Sequence, residues 1–325
     1  MPSITVINVA HLHLLLNHVP TVGSVVALGL LLLAIVRRHE PLTRAGLEVL
    51  FLIAVLTMPA YMSGIGAQQK LRDRPEVSVT AIRTHHDAAL AAFTVTEFAG
   101  FVAWIALWQS RRRGRAARRL VLAATLLSIV ALALMARAAT LGGDIRHPEI
   151  RTGLSAAAAA PAGNPERFVT TAISMFMVDS PWAWPAAETV HFLGFSLSLG
   201  VLLAVNLRIL GVMRQVPFAD VHRLLPWGML GFGANLITGM LFFVGQPKQY
   251  IDSAPFYWKV VFLMIAGANF LYLTVFTKAW AAGDADGNGG FDANLADKAM
   301  AVTSLFAWLA VLYAGRMLPF IGHAF

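Results

Sequence analysis

Eight long apolar runs limit what this chain can fold into. A helix needs roughly 20 mainly apolar residues to cross the hydrocarbon core of a bilayer, and in lipid each backbone polar group must be satisfied within the segment. Charged residues make up only 13% of the chain, too few to cover a water-exposed surface of this size. The sequence therefore predicts an all-α, polytopic integral membrane protein with transmembrane helices near 15–36, 46–66, 86–108, 120–141, 188–212, 225–245, 258–280 and 298–320.

The absence of cysteine narrows the possible chemistry. With no cysteine in the chain, disulfides, thiolate metal sites and covalently attached haem are excluded. Haem b, which is held without a covalent link, needs only histidine and stays possible. The net charge of +8 comes from arginines that cluster at the ends of apolar runs, so it indicates membrane topology and gives no support for nucleic-acid binding.

The distribution of Lys and Arg predicts the orientation. The strongest basic cluster lies between the third and fourth apolar runs, at residues 111–119. Cytoplasmic connections carry the excess of basic residues in membrane proteins. We therefore expect a multi-pass protein of the bacterial cytoplasmic membrane with both termini outside the cytoplasm.

The chain is predicted to contain two similar halves. Residues 1–141 form a four-helix membrane domain, and residues 188–325 form a second one. The connection 142–187 is expected outside the cytoplasm, with an apolar segment at 168–178 that is too short to span and lies at the membrane interface.

Histidines are concentrated on one predicted side of the membrane. Ionisable residues in membrane segments are costly and by default indicate function. Two of the ten histidines, His39 and His222, fall on the cytoplasmic side, and eight fall on the opposite side: His11, His13, His18, His85, His86, His147, His191 and His323.

A haem between the first and third helices is the leading hypothesis for these histidines. These two helices run in the same direction and are diagonal partners in a bundle of four, so His18 and either His85 or His86 can meet at equal depth. Two imidazoles from facing helices can ligate a haem iron. The small residues that follow His85 at helical spacing favour His85, and Arg83 and Arg137 could pair with the propionates.

Two other functions are also consistent with these histidines. In one, His11, His13, His18, His85 and His86 form an entry site for copper or zinc. In the other, the protein is a cofactor-free anchor or assembly subunit.

The first half resembles an uncharacterised family of bacterial four-helix membrane proteins. The segment from His13 to Pro20 has the pattern His-x4-His-x-Pro with which that family opens, and 86–89 is similar to a His-Glu/Asp-Ala-Ala segment of related chains. The resemblance implies His86 as the second ligand beside His18.

The second half resembles another uncharacterised four-helix family. The matching segments run from Glu188 to Gly194, from Asn206 to Gly211, from Leu225 to Trp227, and over Thr238 and Gly239. That family often has a further histidine near the end of its third helix, where this chain reads Asn269-Phe-Leu-Tyr272. His323 is therefore the remaining candidate partner for His191, and His147 is a poorer one.

Both resemblances loosely suggest cytochrome b-like bundles and membrane domains of copper handling. We therefore expect a haem b membrane electron-transfer subunit of a respiratory or redox complex, exchanging electrons with quinone or an extracytoplasmic partner. The redox chemistry would belong to the cofactor, so the chain is not expected to be a self-contained enzyme.

Overall fold

The computed structural model confirms an all-α protein with eight helical spans. It describes residues 9–71, 77–146, 172–277, 280 and 293–321. Within these residues there are helices and no strand, and eight helical stretches are long and apolar enough to cross a membrane. The stretches are Val9–Arg37, Glu40–Leu71, Val79–Arg113, Arg118–Ile145, Ala183–Ile209, Phe218–Gly245, Ala254–Phe276 and Leu295–Leu318.

Two compact units make up the chain. Unit 1 is Met1–Thr171 and unit 2 is Ala172–Phe325, so the division falls inside the predicted connection 142–187. The described helices of unit 1 are α1 Val9–Leu16, α2 His18–Arg37, α3 Glu40–Leu71, α4 Val79–Arg113 and α5 Arg118–Arg146. Those of unit 2 are α6 Ala172–Asp179, α7 Ala183–Ile209, α8 Phe218–His222, α9 Leu225–Gly245, α10 Pro247–Ile251, α11 Ala254–Leu271 and α12 Leu295–Ile321.

Unit 1 is a ring of four spans. Helix α2 packs against α3 and α5, and α4 packs against α3 and α5, so α2 and α4 stand at opposite corners. Local signals fix the ends of α4: the Ser78 hydroxyl accepts a hydrogen bond from the backbone N–H of Ala81 (3.3 Å), and Gly114 ends the helix with φ +75°.

The first span is broken at Asn17. Helix α1 ends at Leu16 and α2 begins at His18. Pro20 explains the break, because its ring clashes with the carbonyl four residues earlier and it has no N–H to donate there. The break lets α1 lean on α3, where a Cβ at Gly66 would lie 2.5 Å from the Val9 side chain.

Unit 2 is also built from four long helices. Helix α7 packs against α9 and α12, and α12 packs against α11. Aromatic rings fill the centre: Phe232 of α9 meets Phe270 of α11 (5.9 Å between centroids) and Trp308 of α12 (5.7 Å). The short α6, inside the segment predicted to lie at the interface, packs against α9.

Helices α7 and α9 approach each other most closely at two glycines. A Cβ at Gly231 would lie 2.6 Å from the carbonyl oxygen of Gly194, so only hydrogen fits between these backbones. Small residues at a helix–helix contact are typical of membrane proteins, where close packing holds helices together.

Candidate functional site

A cavity of about 600 Å³ opens in unit 1 between α1, α2, α3, α4 and α5. Four histidines line it: His13, His18, His85 and His86. Much of the remaining wall is alanine, glycine and aliphatic side chains. The volume lies in the range of about 300–1,000 Å³ typical of small-molecule and cofactor sites.

The main chain of α3 orients His13. Its Nδ1–H donates to the carbonyl oxygen of Ala60 (3.0 Å). A carbonyl can only accept, so the proton is on Nδ1 and the lone pair of a neutral ring is on Nε2. The ring lies against Gly64, where a Cβ would be 2.9 Å from His13 Cε1.

His85 is held in the same way by α5. Its Nδ1–H donates to the carbonyl oxygen of Ala138 (2.8 Å), which again leaves the Nε2 lone pair available. A Cβ at Gly142 would be 3.0 Å from His85 Cε1, so glycine makes room for the ring. His13 and His85 lie within electrostatic range of each other.

His86 has a different environment, although it also lines the cavity. It is buried, and its Nε2 is hydrogen-bonded to the Tyr61 hydroxyl (2.9 Å). Its Nδ1 is buried without a hydrogen-bond partner. Tyr61 stacks on Phe93 (4.9 Å between centroids), which fixes the hydroxyl toward His86.

His18 is the most exposed of the four. Its Nδ1 lies 3.2 Å from the carbonyl oxygen of Leu14, so the ring is fixed by α1 and not by a neighbouring span. Beside it, Asn17 also lines the cavity, and its Oδ1 is buried with no hydrogen-bond partner.

The remaining predicted site residues do not line this cavity. Arg83, Arg137 and His11 are exposed, and the wall contains none of them. His191 belongs to unit 2, where its Nδ1 is hydrogen-bonded to the Thr238 hydroxyl (2.8 Å). His323 and His147 lie outside the described residues.

Small residues on α4 contribute less to the cavity than their spacing suggests. Ala89 and Ala92 line it. Thr96 and Ala99, which continue the same face, are fully buried but do not line it. The cavity is therefore confined to the end of the bundle at which α3 connects to α4.

Sequence reasoning missed Tyr61, Gly64 and Gly142. A tyrosine and two glycines inside apolar runs carry no signal of their own, because the significance of each depends on a histidine from another helix. The role of His13 was also hidden, since in an unbroken helix it points away from His18.

Two rings of the cavity, those of His13 and His85, are oriented so that each could hold a metal or cofactor through Nε2. Metal-bound histidines usually donate their second ring nitrogen to a carbonyl or carboxylate, as His13 and His85 do. Among the described residues, no three His, Cys, Asp or Glu side chains group together as metal ligands.

Comparisons with protein-family models, characterised proteins and solved structures find no match to this chain. The family resemblances of the two halves therefore stay predictions.

Proposed function

We propose that unit 1 binds haem b and that the protein is a membrane electron-transfer subunit of a redox complex. The observation that supports this most is the pair of imidazoles, His13 and His85, which come from different helices and share one cavity. Each ring is oriented by a main-chain carbonyl, and each keeps Nε2 for a ligand.

The donor set fits haem better than a bare metal ion. A haem iron takes its equatorial ligands from the porphyrin and needs two axial ligands at most from the protein. Zinc sites usually need three or four protein ligands. Since the described residues offer no group of three, copper or zinc is the less favoured alternative.

The chain would supply orientation, exclusion of water and a low-dielectric wall. His13 and His85 would ligate the iron, in place of His18 and His86, the pair that the family resemblance implies. His86 is the weaker candidate because its Nε2 is already engaged by Tyr61. Haem, when bound, supplies one-electron redox chemistry.

The partners follow from the predicted orientation. The cavity lies at the end of unit 1 that the basic residues predict to be extracytoplasmic. Quinone in the outer leaflet or an extracytoplasmic redox subunit could exchange electrons there. The apolar spans themselves are compatible with a lipid bilayer.

An absorption spectrum of the purified full-length protein tests the proposal. We expect a Soret band with about one haem per chain under conditions that retain haem, and its loss in His13→Ala and His85→Ala. Matched controls are His11→Ala, an exposed histidine of α1, and His191→Ala in unit 2.

The outcomes of this experiment distinguish the haem proposal from the two alternatives. No Soret band in the wild-type protein, or full haem content in both cavity variants, contradicts the proposal. Stoichiometric copper or zinc in a colourless protein would favour the metal alternative. Neither cofactor, together with unchanged co-purification of partner chains in the variants, would favour a cofactor-free anchor.

A further inference from the structure

Unit 2 contains a half-buried lysine inside a membrane-spanning helix. Lys259 lies in the second turn of α11, and its side chain is not exposed. Within the part of the chain that the structure describes, the Lys259 ammonium makes no hydrogen bond and no ion pair. A lysine in this position is costly, so such residues usually pair with something.

The lysine packs on a glycine of α12. A Cβ at Gly315 would lie 3.4 Å from Lys259 Nζ and 3.6 Å from its Cε. The ammonium therefore lies at the junction of α11 and α12 and not in lipid beyond them. It is on the end of unit 2 at which α10 connects α9 to α11.

An imidazole from α7 stands near the same end. His191 and Lys259 lie within electrostatic range of each other. The Thr238 hydroxyl donates to the carbonyl oxygen of Ala234 (2.7 Å), so toward His191 it can only accept. The proton of His191 is thus on Nδ1 (2.8 Å from the hydroxyl), and Nε2 carries a lone pair.

The fixed neighbours of His191 keep it in place. Asn235 donates from Nδ2 to the His191 carbonyl oxygen (2.9 Å), and Phe242 meets the ring edge-on (5.4 Å between centroids). Gly239 also borders the ring, since a Cβ there would lie 3.5 Å from His191 Cε1. His191 is thus a fixed acceptor, and the Lys259 ammonium lies within electrostatic range of it.

We propose that Lys259 and His191 bind the head group of an anionic phospholipid that carries hydroxyl groups. The Lys259 ammonium donates to a phosphodiester oxygen, which supplies the missing negative charge. A head-group hydroxyl donates to Nε2 of His191. Phosphatidylglycerol has both groups, whereas phosphatidylcholine has the phosphate but neither a net charge nor a hydroxyl.

The site is independent of the proposed haem site, because it lies in the other unit. Lipid binding is measured by native mass spectrometry of the full-length protein, purified in a non-ionic detergent and titrated with phosphatidylglycerol or phosphatidylcholine. We expect tighter binding of phosphatidylglycerol. Lys259→Met should weaken it by about tenfold or more, since a hydrogen bond to a charged group is lost.

The matched control is Lys248→Met, which removes an exposed lysine from α10 at the same end of unit 2. That variant should bind phosphatidylglycerol as the wild type does. His191→Phe should weaken phosphatidylglycerol binding and leave phosphatidylcholine binding unchanged. Circular dichroism and the thermal unfolding transition verify that each variant is folded.

Equal phosphatidylglycerol affinity in the wild type and Lys259→Met would overturn the proposal, as would an equal loss of affinity in Lys248→Met.

Competition with glycerol phosphate distinguishes a lipid from a free phosphate ester. If it binds with the same dependence on Lys259 and displaces the lipid, the site recognises a free phosphate ester and the lipid assignment is wrong. If it does not compete, the acyl chains are part of the ligand.

Discussion

Gly142 illustrates how single residues define the cavity of unit 1. The His85 ring occupies the space that a side chain at Gly142 would take, with 3.0 Å between its Cε1 and the position of a Cβ. Among the described residues no other hydrogen bond holds this ring, so its direction depends on Ala138 and on this gap.

We therefore predict that Gly142→Ala displaces His85 and weakens cofactor binding. Overpacking of this kind typically costs about 1–3 kcal/mol. The haem content of the purified variant, read from its absorption spectrum, measures the effect. Gly29→Ala is the control, because Gly29 of α2 is not in the cavity wall and a Cβ there would meet nothing within 4 Å. Equal haem content in the two variants would argue against His85 as a ligand.

The Tyr61 hydroxyl is the one hydrogen-bond partner that the structure gives to the His86 ring. In Tyr61→Phe the buried ring keeps no partner, at a cost of about 1–3 kcal/mol. We expect a lower free energy of unfolding in detergent but an unchanged absorption spectrum, since His86 is not the proposed ligand. Tyr313→Phe, at a residue that is 67% exposed, is the control.

A changed spectrum in Tyr61→Phe would instead indicate that His86 ligates the cofactor, as the family resemblance implies. If Tyr61→Phe had the same free energy of unfolding as Tyr313→Phe, the hydrogen bond between Tyr61 and His86 would not be needed for stability.

At the scale of whole elements, the spans were predictable and their packing was not. Apolar length alone identifies all eight, because backbone groups in lipid permit few alternatives to a helix. The break at Asn17 was missed, although Asn17, His18 and Pro20 interrupt the apolar run there, because proline is tolerated in membrane helices. Spacing gives the helix faces of His13 and His18 but not the carbonyl that orients each ring, so the choice of ligand could not follow from spacing.

The hydrogen bonds that define the cavity also lie beyond sequence reasoning. His13 bonds a carbonyl 47 residues away, and His85 bonds one 53 residues away. Which carbonyl faces which ring depends on how far each helix slides along its neighbour. Periodicity gives the face of a helix but not this relative position.

The contact between α7 and α9 provides an element-scale prediction. A Cβ at Gly231 would lie 2.6 Å from the Gly194 oxygen and 2.8 Å from the Ser198 nitrogen, both of them main-chain atoms that cannot rotate away. Gly231→Ala should force these helices apart and destabilise unit 2 by about 1–3 kcal/mol. The unfolding transition of the purified protein measures this change.

Gly200→Ala is the control on the same pair of helices. A Cβ at Gly200 would meet nothing within 4 Å. Alanine is a better helix former than glycine by about 0.5–1 kcal/mol, so this variant should be as stable as the wild type or slightly more stable. If Gly231→Ala were as stable as the wild-type protein, the contact between α7 and α9 would tolerate separation of the two helices.

For the whole molecule, the orientation in the membrane is the main untested prediction. Since the described residues contain an even number of candidate spans, the two ends of the spanning region are expected on the same side. The chain has no cysteine, so one introduced cysteine is the single reactive thiol. We predict that a membrane-impermeant maleimide labels Lys248→Cys in intact cells, but labels Arg115→Cys only after the cells are permeabilised.

The reason is the excess of arginine around Arg115, which favours the cytoplasmic side. Both positions are exposed in the structure, so each thiol can react when the reagent reaches it. The reverse pattern of labelling would place the histidine cavity at the cytoplasmic face and would require a cytoplasmic electron partner.

The hydrogen bonds of His13 and His85 have a consequence for natural variation. Their acceptors are the peptide oxygens of residues 60 and 138, and every amino acid that could occupy those positions carries the same oxygen. Point mutations at 60 and 138 therefore cannot delete the acceptor, as they could if a carboxylate or an amide oriented the ring. Relatives of this protein could exchange these side chains for others that fit the packing and still orient both imidazoles, provided that the helices keep their relative heights.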